Sequence, residues 1–165
     1  MEEENIEDIF KRTLNDPSAF STLDIKSLLK KDKNNEYLEN KTAKMVAKDI
    51  YDIVSSLVDM ETTATLCKKL VEYRYVDEIR ELHKGKHVRW IAQKKIPPVL
   101  TNGGIVVDIL FKDNGIHVLC KNAQHRFIQY KFDECFTFQK LTLEEQLILS
   151  AFEYLTPAST TALKK

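Results

Sequence analysis

Four side chains of the kind that bind zinc, His117, Cys120, His125 and Cys135, fall close together in the second half of the chain. Zinc needs four such ligands converging on a tetrahedron. Their spacing opposes this: His117 and Cys120 differ by three along a run with strand character, so their side chains leave on opposite faces. Cys120 and Cys135 read as small buried apolar residues and His117 as an exposed strand position. A nucleophilic site would need Cys or Ser beside a His that a carboxylate orients. Every residue type is present, but no Gly-flanked elbow, H-E-x-x-H pair or P-loop accompanies them. The expectation is a non-enzymatic chain with no catalytic residue, no metal and no cofactor.

Phosphate recognition has more residues behind it. Formal net charge is zero over 165 residues, yet residues 86–140 hold nine Lys/Arg against four Asp/Glu, whereas residues 1–40 hold six against ten. Arg89, Lys94, Lys95, Lys112, Lys121, Arg126 and Lys131 are the candidate nucleic-acid-binding residues, because such cations neutralise phosphates. An exposed aromatic would stack a base. Trp90 and Tyr130, however, fall on the apolar side of their strands by period, which makes them core rather than a stacking platform or a methyl-lysine cage.

The element that must position these cations begins where the hydrophobic period changes from 3.6 to 2. Five strands are expected, at about 87–92, 104–112, 116–121, 126–132 and 135–139. In "GIVVDILFK" the odd positions Ile105, Val107, Ile109 and Phe111 form an unbroken apolar face. Asp113-Asn114-Gly115 marks a two-residue type I′ hairpin, and Asp133-Glu134 a tight turn. A flat sheet of this size would leave apolar surface and edges exposed, so curling into an SH3-like, Tudor-like barrel is expected, with "QKKIPPVLTNG" as its long first connection.

Helices flank this unit. Short helical pieces are expected within residues 1–33, broken at Asp16-Pro17, with a polar connector after them. A helix over about 42–58 follows, capped by Thr42 and carrying Val46, Ile50, Ile53, Val54 and Leu57 in one stripe. Two more are expected over about 62–73 and 76–83, ended by Gly85. After the strands, Thr142 and Glu145 form a capping box for a helix whose stripe runs through Leu143, Leu147, Ile148, Ala151, Phe152 and Leu155. That helix must bury its stripe on the β-unit or on the 42–58 helix. Residues 156–165 read as a flexible tail.

Three cysteines without a close-spaced pair do not make a secreted disulfide framework, and no apolar run approaches the ~18 residues that a membrane span needs. A reducing, cytosol-like compartment is the expectation, with no membrane partner. Amphipathic helices, an acidic arm and a small β-unit with an exposed edge suit a subunit that docks through protein partners.

The order "ELHKGKHVRWI", "LTNGGIVVDI", "GIHVLCKN", "FIQYKFDECFTFQKLTLEEQLIL" resembles an uncharacterised protein family of nucleocytoplasmic large DNA viruses, over about residues 70–155. The resemblance implies a protein of the infected cytoplasm or the virion and carries no mechanism, so no functional residue transfers from it. Its recurring positions, Gly85, Arg89, Trp90, Gly103, Gly104, Asp133 and Phe138, are equally those that turns and core require. The reading is therefore α+β: a helical segment over 1–85, a five-stranded antiparallel SH3-like unit over 86–140, and a helix over 141–155 packed on it. The expected role is binding, as an adaptor or assembly subunit acting through protein contacts, or alternatively as a nucleic-acid-binding module using the basic strand face.

Overall fold

The computed structural model describes residues 37–38 and 41–155, with the side chains of residues 154 and 155 outside that description. The helical pieces expected within 1–33 and the tail over 156–165 lie outside the described residues. The described chain is α+β and runs α1 (Ala43–Leu57), α2 (Met60–Lys69), β1 (Tyr73–Val76), β2 (His87–Ala92), β3 (Gly104–Lys112), β4 (Gly115–Lys121), β5 (Phe127–Lys131), β6 (Cys135–Lys140) and α3 (Leu143–Leu155), with 3-10 turns at Ile79–Glu81 and Phe132–Glu134. It divides into two compact units, residues 47–140 in one and the described residues before 47 and after 140 in the other. No helix among the described residues is long and apolar enough to cross a membrane.

Within residues 47–140 the six strands form one antiparallel sheet in the order β1-β6-β2-β3-β4-β5. Two features correct the expectation. There are six strands rather than five, and the sheet is open, with β1 and β5 as its edges. The extra strand lies where the helices expected over 62–73 and 76–83 would have met, and the second of these does not form. Tyr73 to Val76 pair with Lys140 to Thr137 of β6, since aromatic and β-branched residues fit a pleated surface better than a helix. Only Ile79–Glu81 turns, and the Glu81 carboxylate holds it by accepting from the backbone N–H groups of Asp77 and Glu78, at 3.1 and 3.3 Å.

Both faces of the first half of the sheet are buried. On one face Ile91 and Phe138 pack with Ile50 and Val54 of α1, Leu66 of α2 and Leu70 just after it. On the other, Val76, Leu82, Val88, Trp90, Val106, Val118, Cys120 and Tyr130 make a second core. Val76 and Tyr130 stand on the two edge strands, so the sheet curls until its ends share a core without pairing. Helix starts follow local chemistry: the Thr42 hydroxyl accepts from Met45 N–H at 3.3 Å, and the Asp59 carboxylate accepts from Thr62 N–H at 2.7 Å, which starts α2 at Met60 rather than 62.

β3 departs from simple alternation. Val106 pairs with Cys120 and Asp108 with Leu119, leaving Val107 as an extra residue in a bulge. A bulge advances the side-chain phase by one position. Val106 and Ile109 therefore join the core, while Ile105 and Val107 are 43% and 41% exposed and Phe111 is 75% exposed. The unbroken Ile105–Phe111 face read from the sequence does not exist. The next hairpin has Asp113 and Asn114 between paired Lys112 and Gly115. The positive φ falls on Gly115 and not on Asn114, so the turn is not type I′. A 3-10 turn stands where a tight turn was expected at Asp133-Glu134.

In the other unit, Leu38, Val46, Ile148 and Leu149 form a small core with Tyr37, Leu141 and Phe152 against it. The capping box of α3 is complete: Glu145 N–H donates to Thr142 Oγ1 and Thr142 N–H donates to Glu145 Oε1, each at 3.1 Å. The Tyr37 hydroxyl donates to the other Glu145 oxygen at 2.7 Å.

Candidate functional site

The β2–β3 connection is held against β2 by side-chain and backbone bonds. Thr101 N–H donates to the Trp90 carbonyl at 3.0 Å, Trp90 N–H donates to Thr101 Oγ1 at 3.1 Å, and Arg89 Nε donates to the Thr101 carbonyl at 2.8 Å. Gly103 then turns with φ +73°, and a Cβ there would lie 1.7 Å from the Val88 carbonyl oxygen. Only glycine permits that approach. The β4–β5 hairpin is held similarly: Asn122 Oδ1 accepts from Gln124 and Arg126 N–H at 3.0 and 2.9 Å.

Between these loops lies a pocket of about 640 Å³, lined by His87, Trp90, Thr101 to Gly103, Asn122 to Gln124, and Ile128 to Tyr130. Trp90 and Tyr130 belong to its lining and also to the core, each 7% exposed. Their rings stack, with centroids 4.1 Å apart and planes 16° from parallel, and the Tyr130 hydroxyl shares a 3.0 Å hydrogen bond with Thr137. Burial pushes the Tyr130 phenol well above its ordinary range. Parallel rings this close leave no gap for a cation between them, unlike the box of rings that a methyl-lysine needs. Asn102, Asn122 and Gln124 supply neutral amides, the Gln129 amide being turned to His117, and the lining contains no Lys, Arg, Asp or Glu. Chemically this is an apolar floor with donors and acceptors around it and no formal charge.

The seven cations expected to form one array are divided among separate places. Arg89 is half-buried and committed to the Thr101 carbonyl. Lys94 and Lys95 are exposed on the β2–β3 connection, outside the pocket lining. Lys112 ends β3 opposite Gly115, and Lys131 stands opposite His117 with its ammonium 3.4 Å from Glu134. Lys121 and Arg126 lie at the other end of this ladder, where Lys121 Nζ is 5.9 Å from the centroid of exposed Phe127. The six-residue step along β4 from Gly115 to Lys121 separates the two ends by about 20 Å.

The cysteines and histidines of the metal reading are also apart. His117 faces outward, its ring nitrogens 3.0 Å from Asn114 Oδ1 and 2.9 Å from Gln129 Nε2, while Cys120 is fully buried in the sheet core. Burial pushes the thiols of Cys120 and Cys135 up to about 12 and about 11. Both are then neutral at ordinary pH in the protein as it stands, whereas the thiolate is the nucleophilic form. No group of three or more His, Cys, Asp or Glu side chains that could hold a metal ion occurs among the described residues.

Sequence reasoning overlooked the pocket because its amides sit on two connections far apart in the chain. Their only advance signal was position beside Gly103-Gly104 and in the short "NAQH" turn. No protein-family model, curated protein or solved structure matches the chain.

Proposed function

We propose that the β-unit is an SH3-like recognition module that binds a partner protein by taking an uncharged side chain into the Trp90–Tyr130 pocket. The observation that carries this reading is the lining: aromatic and aliphatic surface below, amides above, and no charged Lys, Arg, Asp or Glu side chain. A phosphate ligand calls for Arg or Lys, and a cationic ligand for a carboxylate or a ring box. A peptide segment calls for apolar surface with a few convergent donors and acceptors. The SH3-like reading is supported by the order β6-β2-β3-β4-β5 and by the 3-10 turn between β5 and β6. The viral resemblance supports a role as adaptor or assembly subunit in the infected cytoplasm or the virion.

A second reading, nucleic-acid binding, is favoured by one observation. Phe127 is 64% exposed with Lys121 over its ring and Arg126 adjacent, which is the pairing of stacking surface and cations that single strands use.

Selection from a phage-displayed library of random peptides, with the full chain as bait, separates the two when followed by anisotropy titrations of a selected peptide and of single- and double-stranded DNA and RNA. The expected result is a peptide whose binding Ala123→Trp, at an exposed position of the pocket lining, abolishes. Binding of nucleic acid that collapses between about 50 and 200 mM salt and is lost in Lys121→Glu/Arg126→Glu would establish the second reading instead.

A further inference from the structure

Three consecutive residues of β5, Ile128, Gln129 and Tyr130, line the pocket. Successive side chains of a strand point to opposite faces, so Ile128 and Tyr130 share a face, and Gln129, whose amide is 2.9 Å from His117, borders the pocket through its backbone. β5 ends the sheet, and β4 occupies its one paired side. Its other edge, beside the pocket-lining residues, has no strand partner among the described residues. Its phase follows from the hairpin: Asn122 N–H donates to the Arg126 carbonyl at 2.9 Å, and bonded and non-bonded pairs alternate along an antiparallel ladder. With Cys120 opposite Ile128 and Val118 opposite Tyr130, those two β5 residues bond β4. The N–H and C=O groups of Phe127, Gln129 and Lys131 point outward.

We infer that the partner segment is an extended strand that pairs with the outer edge of β5, sets an uncharged side chain in the Trp90–Tyr130 pocket, and carries a carboxylate facing Arg126. This rests on the pocket reading and names the form of the occupant. An exposed edge is a template for another strand, and main-chain bonds along it would give affinity while the pocket selects alternate side chains. Arg126, exposed where β5 begins, and the excess of nine Lys/Arg over four Asp/Glu across residues 86–140 set the charge of the complement. A helix laid on this edge would leave the outward groups unmet, because its own amides are spent internally.

The test uses the fluorescein-labelled peptide obtained from the random library, titrated into the full chain. Methylating its backbone nitrogens one at a time should weaken binding about five- to tenfold at every second residue and little between. Gln129→Pro, which removes an outward N–H without breaking a bond to β4, should abolish binding, while Gln129→Ala retains it. Acidic residues should recur in the selected sequences, and Arg126→Glu should weaken them. A selected peptide insensitive to N-methylation, or sensitive at every third and fourth residue, would overturn strand pairing and leave the pocket reading standing. If no peptide is selected, or only nucleic acid binds, both readings fall.

Discussion

Trp90 and Tyr130 come from strands that are not neighbours, β2 and β5, yet their rings lie stacked at 4.1 Å between centroids. The pair is the contact through which the curl of the sheet becomes a pocket floor. Trp90→Ala should destabilise the protein by about 3–5 kcal/mol, read as a lowered urea midpoint. Tyr130→Phe, which keeps the stack and strands the buried Thr137 hydroxyl, should cost about 1–2 kcal/mol.

The two left-handed glycines of the β2 region should respond differently to alanine. Gly85 has φ +82° with nothing within 4 Å of a built Cβ, whereas at Gly103 the Val88 carbonyl is 1.7 Å away. Gly85→Ala should cost about 1–2 kcal/mol from conformation alone. Gly103→Ala adds a clash between two backbones and should exceed about 3 kcal/mol, which thermal melting of the two variants would separate.

The bulge in β3 makes a test that reverses simple alternation. Val106 is 2% exposed and Val107 41%. Val106→Thr should lose about 1–3 kcal/mol by burying a hydroxyl, and Val107→Thr should stay within about 0.5 kcal/mol. Equal effects in urea melts would place the bulge elsewhere.

His87 ties stability to pH. Burial, with Arg89 and Lys140 nearby, lowers its folded value from the ordinary 6.5, and its Nδ1 lies 3.0 Å from the Tyr73 hydroxyl, which donates to it when unprotonated. The unfolded chain then takes up a proton at higher pH than the folded one, so stability is present above about 6.5 and falls as pH drops through the window below it. His87→Gln should flatten that part of the melting-temperature profile.

The start of α3 rests on reciprocal bonds between Thr142 and Glu145. Thr142→Ala should cost about 1 kcal/mol, whereas Thr142→Ser, which keeps the acceptor, should be close to neutral. Hydrogen exchange at Glu145 N–H would locate the loss in the first turn.

Strand placement was legible because period-two runs bounded by glycines and short polar turns carry their own phase. β2 (His87–Ala92) and β3 (Gly104–Lys112) occupy the residues that pattern picks out, and the five period-two strands have the order in which they were read. The helix at 42–58 and the capping box at Thr142 were legible for the same reason, since their signals lie within a few residues of what they specify.

Three features were decided elsewhere. Tyr73–Val76 becomes a strand because β6, more than sixty residues later, offers an edge to pair with. The apolar face of β3 changes phase at Val107 because Cys120 and Leu119 of β4 fix the register on either side of it. The pocket exists because the sheet curls, bringing Thr101 to Gly103 and Asn122 to Gln124 to the two sides of a floor that a one-dimensional pattern could identify only as core. Local periodicity determined α1, the five strands β2 to β6 and the start of α3. Pairing between distant strands, which no local period encodes, decided the open edge, the reversed face and the site.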